Sequence, residues 1–395
     1  MADSLPHSAV PEAGSFAVRG RLVLDRELVP GALVVRSGRI VEVVRGPAGD
    51  LPAPLHEAAI VSPGFIDLQV NGGFGVEIGD SAQAILHLAA RLPATGVTAF
   101  LPTLVSSSAE LYPRACQAFL ASVGAPGALP LGLHLEGPFL SPRRLGAHRA
   151  SAVANAPADL LDPFLAHGVL RLVTLAPEVE GNLDRIRRLR AHQVVVSLGH
   201  TNASYEEFER GIDAGATMVT HLYNAMSDFN HRAPGAVGAA LLDDRVVVGL
   251  IADGVHSHPA SVRLALRAKG ADRVALVTDA IAGAGMEPGA YSLDGQEVLV
   301  DETAARLRDG TLAGSVLALD QAIRNVVAWT GSGVAEACHL ASEVPARLLG
   351  LRAKGRLAVG CDADLVLLDD GLRVQETFAE GRRIYQRPPT LPLPT

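Results

Sequence analysis

Residues 63–73, PGFIDLQVNGG, read as a strand bounded by proline and glycine. Side chains alternate faces along a strand, so Asp67, Gln69 and Asn71 share one face and Ile66, Leu68 and Val70 the other. A parallel sheet buries both faces, and an unpartnered polar group in its interior costs on the order of 1–3 kcal/mol. One carboxylate and two carboxamides therefore need a purpose inside the fold.

Outward from this stretch the chain repeats one theme to about residue 280: an apolar run, a polar loop, then a helical stretch with one apolar face. The runs are FIDLQVN (65–71), TAFLPTL (98–104), LGLHLEG (131–137), LRLVTLAPE (170–178), VVVSLGH (194–200), TMVTHL (217–222), VVVGLIADG (246–254) and VALVTDA (274–280). Segments such as AQAILHLAARLPATG (82–96) and LDRIRRLRAH (183–192) supply helices between them. Eight strands in this alternation predict a (β/α)8 TIM-like barrel over residues 63–350, with helical residues 315–350 returning the chain from the last strand. The flanks, 14–62 and 351–388, alternate like short antiparallel strands with turns at Gly and Asp. They predict a small β-sandwich domain built from both chain ends. The tail RPPTLPLPT (387–395) is too rich in proline to pack and is expected to be extended.

The catalytic end of such a barrel is the C-terminal end of its strands. There the runs place Glu136, His200, His221 and Asp279, from four separate strands. Taken singly, each has a plainer explanation: a hydrogen-bonded core histidine, an N-capping aspartate, a glutamate in a solvated turn before Gly-Pro. Four together at one end of one barrel point to a site. Two imidazoles and a carboxylate make an open zinc set, which leaves a position for water whose pKa falls towards ~7. The remaining acid, Asp279, suits a general base and acid.

Composition narrows the partners. The 395 residues carry a formal net charge of −8 and are 48% hydrophobic, enough for a large core. Among 34 basic residues only Lys269 and Lys354 are lysines, and the arginines are scattered, so no nucleic-acid surface is indicated. Cys116, Cys338 and Cys361 are odd in number and far apart, which suggests neither disulfides nor a cysteine metal site. The first residues lack a signal-peptide pattern and no run reaches the ~20 apolar residues of a membrane span. A soluble cytoplasmic protein with no membrane partner is expected.

The motifs PGFIDLQVNGG, GLHLEGPFL, GAH, SLGHTNAS, THLYNAM, IADGVH, LVTDA and LAGS follow one another along nearly the whole chain. In this it resembles the N-acetylglucosamine-6-phosphate deacetylases of the amidohydrolase superfamily. The resemblance implies that Glu136, His200 and His221 hold one divalent metal ion per subunit, with Zn2+ favoured by the two imidazoles, and that Asp279 transfers the proton. It implies that Ala147 and His148 of GAH meet the substrate, His148 polarising the acetyl carbonyl. Asn224 and Ala225 match backbone contacts to the sugar phosphate, Arg232 and His256 its charged contacts, and Leu312, Ala313 and Gly314 a loop against the sugar. His258 is an alternative to His256, His231 is assigned to the surface, and His134, two residues before Glu136, is expected to support the metal shell.

Many amidohydrolases carry His-x-His at the end of the first strand, where it helps hold a second metal; here the positions are Gln69 and Asn71. Carboxamides bind zinc poorly but hydrogen-bond well, so they are expected to fill the vacated position by bonding to backbone or water. A second metal through Asp67 is disfavoured, since Asp67 sits roughly 13 Å down the strand from Asn71. The implied reaction is metal-dependent hydrolysis of N-acetylglucosamine 6-phosphate to glucosamine 6-phosphate and acetate. The alternatives are the galactosamine epimer as substrate, or a non-catalytic phosphosugar-binding barrel. A homodimer, with the Arg232 loop reaching the neighbouring site, is the implied assembly.

Overall fold

A computed structural model describes residues 14–389 except positions 48, 50 and 158. The chain start read for targeting and most of the proline-rich tail lie outside the described residues.

Eight parallel strands follow one another in a single sheet: Phe65–Val70, Val97–Val105, Leu133–Glu136, Leu170–Leu175, Val195–Leu198, Met218–Val219, Val247–Leu250 and Val274–Leu276. Each residue of the first strand is buried, as a wall covered on both sides requires. Helices lie between the strands. In Asn182–Ala191 the buried Ile186 and Leu189 face inward while the arginines point out, and Tyr205–Asp213 opens with a reciprocal capping box of Ser204 and Glu207. The predicted helix over 82–96 stops at Arg91 and continues as a 3-10 turn, Leu92–Thr95, where Pro93 lacks an N–H to carry the α ladder on.

Both chain ends meet in a second sheet, ordered Arg382–Gln386, Val374–Ala379, Leu365–Leu368, Leu55–Pro63, Phe16–Leu24, Glu27–Arg36, Arg39–Arg45. The expected small β unit is thus hydrogen-bonded as one continuous sheet around its own core. Strand alternation joins it to the barrel: Val61, Leu365 and Leu367 enter the small core, whereas Ile60, Val366 and Leu368 enter the barrel core. Helices Leu319–Thr330, Val334–Ala341 and Glu343–Leu348 return the chain between the two, as expected.

One element was not anticipated. A three-stranded antiparallel sheet, Gly289–Leu293, Gln296–Val300 and Ala305–Leu307, separates the last barrel strand from these helices. Its signal was present: YSLDGQEVLV is two alternating runs around Asp294–Gly295, a two-residue hairpin turn.

The barrel closes between its first and last strands, and there Asp67 finds its purpose. Thr278 donates to it twice, from its hydroxyl to Oδ2 at 2.6 Å and from its backbone N–H to Oδ1 at 3.2 Å. Just above, Asp279 N–H donates to Gln69 O and Asn71 N–H to Ala280 O, at 2.9 and 2.8 Å. Asp67 is therefore a closure residue, which removes it from metal binding. Burial pushes its carboxyl up from an ordinary 3.8 to about 7, against the Thr278 bonds that pull it down. A raised native pKa means that the folded protein binds more protons than the unfolded chain between pH ~4 and about 7, so this group's contribution to stability falls as pH rises through that window. Asp67→Asn, neutral throughout, should lose less stability than the wild type between those limits, as followed by urea unfolding; identical pH dependence in both proteins would contradict this.

Candidate active site

Glu136 ends the third barrel strand, and His200, His221 and Asp279 follow two or three residues after the fifth, sixth and eighth. The last three adopt positive φ angles of 47°, 26° and 53°. A left-handed residue just past a strand turns the chain sharply at the barrel mouth, at a cost of order 1–3 kcal/mol each. Backbone bonds hold these turns: Thr201 N–H to Ala225 O, Leu222 N–H to Gly249 O and Asp279 N–H to Gln69 O.

Three acceptor atoms converge. Glu136 Oε1 lies 3.2 Å from His200 Nε2 and 3.0 Å from His221 Nε2, and the two nitrogens are 3.1 Å apart. His200 Nδ1 donates to Arg144 O at 3.0 Å, which leaves the lone pair on Nε2 directed at the cluster. Burial alone would raise the Glu136 carboxyl, but the neighbouring His200 and His221 hold it well below the usual range. His221 is raised, since the Glu136 carboxylate outweighs the burial that would lower it. A carboxylate and two imidazole nitrogens this close fit a divalent cation of the zinc type.

His148 can also bring a ring nitrogen within 4.8 Å of ligand atoms of Glu136 and His200, so it competes with His221 for the third place. Hydrogen bonding decides between them. His148 Nδ1 accepts the Ser106 N–H at 3.2 Å, so a neutral ring carries its proton on Nε2, 3.8 Å from Glu136 Oε2. The ring is kept neutral: burial, then the neighbouring His200, push it down to about 3. His148 thus presents a donor to the cavity, whereas a metal ligand needs a lone pair.

Gln69 and Asn71 correct the expectation drawn from the sequence. Their NH2 groups bond to the acidic side chains themselves. Gln69 Nε2 lies 2.9 Å from both Glu136 Oε1 and Asp279 Oδ1, and Asn71 Nδ2 donates to the same Asp279 oxygen at 2.6 Å. One amide therefore bridges two carboxylates that would otherwise repel. Burial and then the charge on Glu136 still raise Asp279 to about 6, near neutrality. His134 is a second correction: its ring bonds Thr103 Oγ1 and Thr174 Oγ1 at 3.2 and 2.9 Å, one layer below the cluster, and ties neighbouring strands together.

A cavity of about 550 Å³ opens over these groups, lined also by Ala147, Asn224, Ala225, His256, Leu312 and Gly314. Ala313 is fully buried behind that loop and does not line it. Asn224 gives its side-chain amide to His221 O and Leu222 O, and its backbone N–H also donates to His221 O at 3.0 Å. His256 gives Nδ1 to Asp253 at 2.6 Å, while His258 caps the helix Pro259–Lys269 and stands apart from the cavity. Arg232 is exposed, contacts its neighbour His231, and is absent from the cavity wall of its own chain. Arg143, Arg144 and Arg306, not singled out from the sequence, line the wall instead; the tandem RRLGAH was the available signal for two of them.

The amidohydrolase family model matches residues 60–384. The N-acetylglucosamine-6-phosphate deacetylase of Homo sapiens is 41% identical over 386 residues, 93% of this chain and 91% of that protein. The N-acetylgalactosamine-6-phosphate deacetylase of Escherichia coli is 40% identical over 93% of this chain and 99% of its own length. The crystal structure of a mutant N-acetyl-D-glucosamine-6-phosphate deacetylase from Mycobacterium smegmatis, in complex with N-acetyl-D-glucosamine-6-phosphate, superposes with a TM-score of 0.88 at 36% identity, covering 94% of this chain and 99% of that one. With its barrel, its Glu-His-His cluster and these relatives, the chain belongs to the amidohydrolase family, among the N-acetylglucosamine-6-phosphate deacetylases.

Proposed function

We propose that the chain hydrolyses the acetamide of N-acetylglucosamine 6-phosphate, releasing acetate and glucosamine 6-phosphate, with one zinc ion per subunit held by Glu136, His200 and His221. The observation that carries this reading is the Glu136–His200–His221 triangle with Asp279 bridged to it through Gln69. Bound there, the cation supplies Lewis-acid polarisation of the carbonyl and acidification of water. Asp279 takes the proton from the attacking water and returns it to the departing amine, which leaves poorly as an anion. His148 Nε2–H donates to the carbonyl oxygen as negative charge develops on it. Gln69 and Asn71 hold Asp279 in place by two amide donors to one oxygen, leaving its other oxygen for the proton.

The sugar phosphate is assigned to the turn at Asn224 and Ala225 with His256, and the sugar to Ala147, Leu312 and Gly314, with Ala313 buried behind them as the anchor of that loop. Arg232, remote from its own cavity, is assigned to the site of the neighbouring subunit in a homodimer. The galactosamine 6-phosphate epimer is the second reading, favoured by the Escherichia coli relative; the ratio of kcat/KM for the two sugars separates them.

Purified protein should release acetate from N-acetylglucosamine 6-phosphate, lose this on chelation and regain it at one equivalent of divalent metal. A need for two equivalents would overturn the reading of Gln69 and Asn71. Asp279→Asn should keep its metal while losing at least ~10²-fold in turnover, the usual scale of acid–base assistance. Near-normal turnover in the metal-loaded variant would remove Asp279 from the chemistry.

Arg232→Ala should weaken binding of the phosphorylated sugar by roughly 1.5–3 kcal/mol. If the arginine acts across the dimer, mixing subunits of Arg232→Ala and Asp279→Asn should restore activity, because the first supplies Asp279 and the second Arg232 to one complete site. Failure of mixed dimers to recover would place Arg232 outside the neighbour's site.

A further inference from the structure

The unanticipated three-stranded sheet makes contacts that a surface hairpin does not need. At its tip Asp294 sits at φ 47° with its side chain only 9% exposed, where hairpin turns are ordinarily solvated. Its Oδ1 accepts the Ser107 hydroxyl at 2.7 Å, its Oδ2 lies 2.5 Å from Arg149 Nη2, and its backbone N–H donates to the Glu77 carboxylate. Two residues along, Gln296 Nε2 donates to Ala147 O at 2.7 Å.

Three of these partners, Ala147, Arg149 and Ser107, belong to the segments around one side chain, His148. Ala147 and Arg149 are the chain neighbours of His148, so the hairpin grips the residue before it and the residue after it. Ser107 follows Ser106, whose backbone N–H donates to His148 Nδ1 and thereby puts the ring proton on Nε2. A single carboxylate thus secures both the segment that carries the imidazole and the segment that sets its tautomer. The opposite edge of the same sheet holds the loop against the cavity: Ala313 N–H bonds Ala305 O, and Leu307 N–H bonds Thr311 O. A small apolar cluster of Leu293, Val298, Val300 and Ala305 with Val105, Ile281 and Ala313 binds the two edges together.

We propose that Asp294 is a positioning residue for His148, and that the sheet holds this histidine and the Leu312–Gly314 loop as one rigid roof over the substrate. The inference deepens the role given to His148 above and rests on it. Asp294 does not itself line the cavity; it acts through Ser107 and Arg149. Displacing a reacting group by even ~1 Å can cost up to ~10²-fold in rate, so a lost clamp should be visible in turnover.

The test is a double-mutant cycle between Asp294→Ala and His148→Ala, read as kcat and KM for N-acetylglucosamine 6-phosphate together with bound metal. Asp294→Ala should lower kcat roughly tenfold or more with metal content unchanged, and should cost almost nothing further in the His148→Ala background. A residue that merely stabilises the turn would lower kcat by the same factor in both backgrounds, which would overturn the proposal. Turnover of Asp294→Ala within about twofold of wild type would overturn it too. Arg149→Gln, altered on the half-exposed side of the same contact, runs the same cycle should Asp294→Ala not fold. Wild-type protein inactive on the phosphosugar would sink the functional reading and this inference with it, whereas an active wild type with either contrary result sinks the inference alone.

Discussion

The seam between Phe65–Val70 and Val274–Leu276 is where this molecule is made or lost. A parallel barrel has no edges only if its first and last strands meet, and they are about 200 residues apart in sequence, so closure draws on long-range contacts. Thr278 meets Asp67 from two directions, and backbone bonds from Asp279 and Asn71 follow immediately above. The same few residues that close the sheet lead directly into the site. Asp279 is placed by its N–H on Gln69 O, and the Gln69 side chain returns to its carboxylate.

That arrangement answers an electrostatic problem. Glu136 and Asp279 are buried carboxylates whose negative charges oppose one another, and burial first, then the Glu136 charge, raises Asp279. A neutral amide donating to both relieves the repulsion without adding charge, which a second pair of imidazoles and a second cation would do instead. The two acids are driven apart: Glu136, beside two imidazoles, is held anionic, while Asp279 is raised to about 6. Neutral His148 completes the set as a donor because its other nitrogen is committed to Ser106 N–H.

Beyond the barrel mouth the cavity is assembled from segments with no common element. The loop around His148, the turn at Asn224–Ala225, the loop at Leu312–Gly314 and the hairpin sheet each provide one side. Loops tolerate this because the barrel beneath them is rigid, and the hairpin sheet supplies for the roof the stiffness that the loops lack.

The sequence alone determined the barrel, the split β unit and the four groups at the strand ends, because strand alternation and strand-end position are local properties that periodicity records. Glu136, His200, His221 and Asp279 were all placed by counting along apolar runs. The hairpin around Asp294–Gly295 was written in the same alternation, but nothing local distinguishes a roof from an excursion. Depth and partnership were decided only by the tertiary structure. His134 and Glu136 share a strand face, yet two residues of rise, roughly 7 Å, put one among threonines and the other in the cluster. Gln69 was expected to meet backbone or water because its actual partners, Glu136 and Asp279, lie 67 and 210 residues away. Which imidazole donates and which accepts was likewise settled by a remote backbone group in each case, Ser106 N–H for His148 and Arg144 O for His200. A residue's type and period are carried by the chain, but the direction of a hydrogen bond belongs to whatever the fold brings beside it.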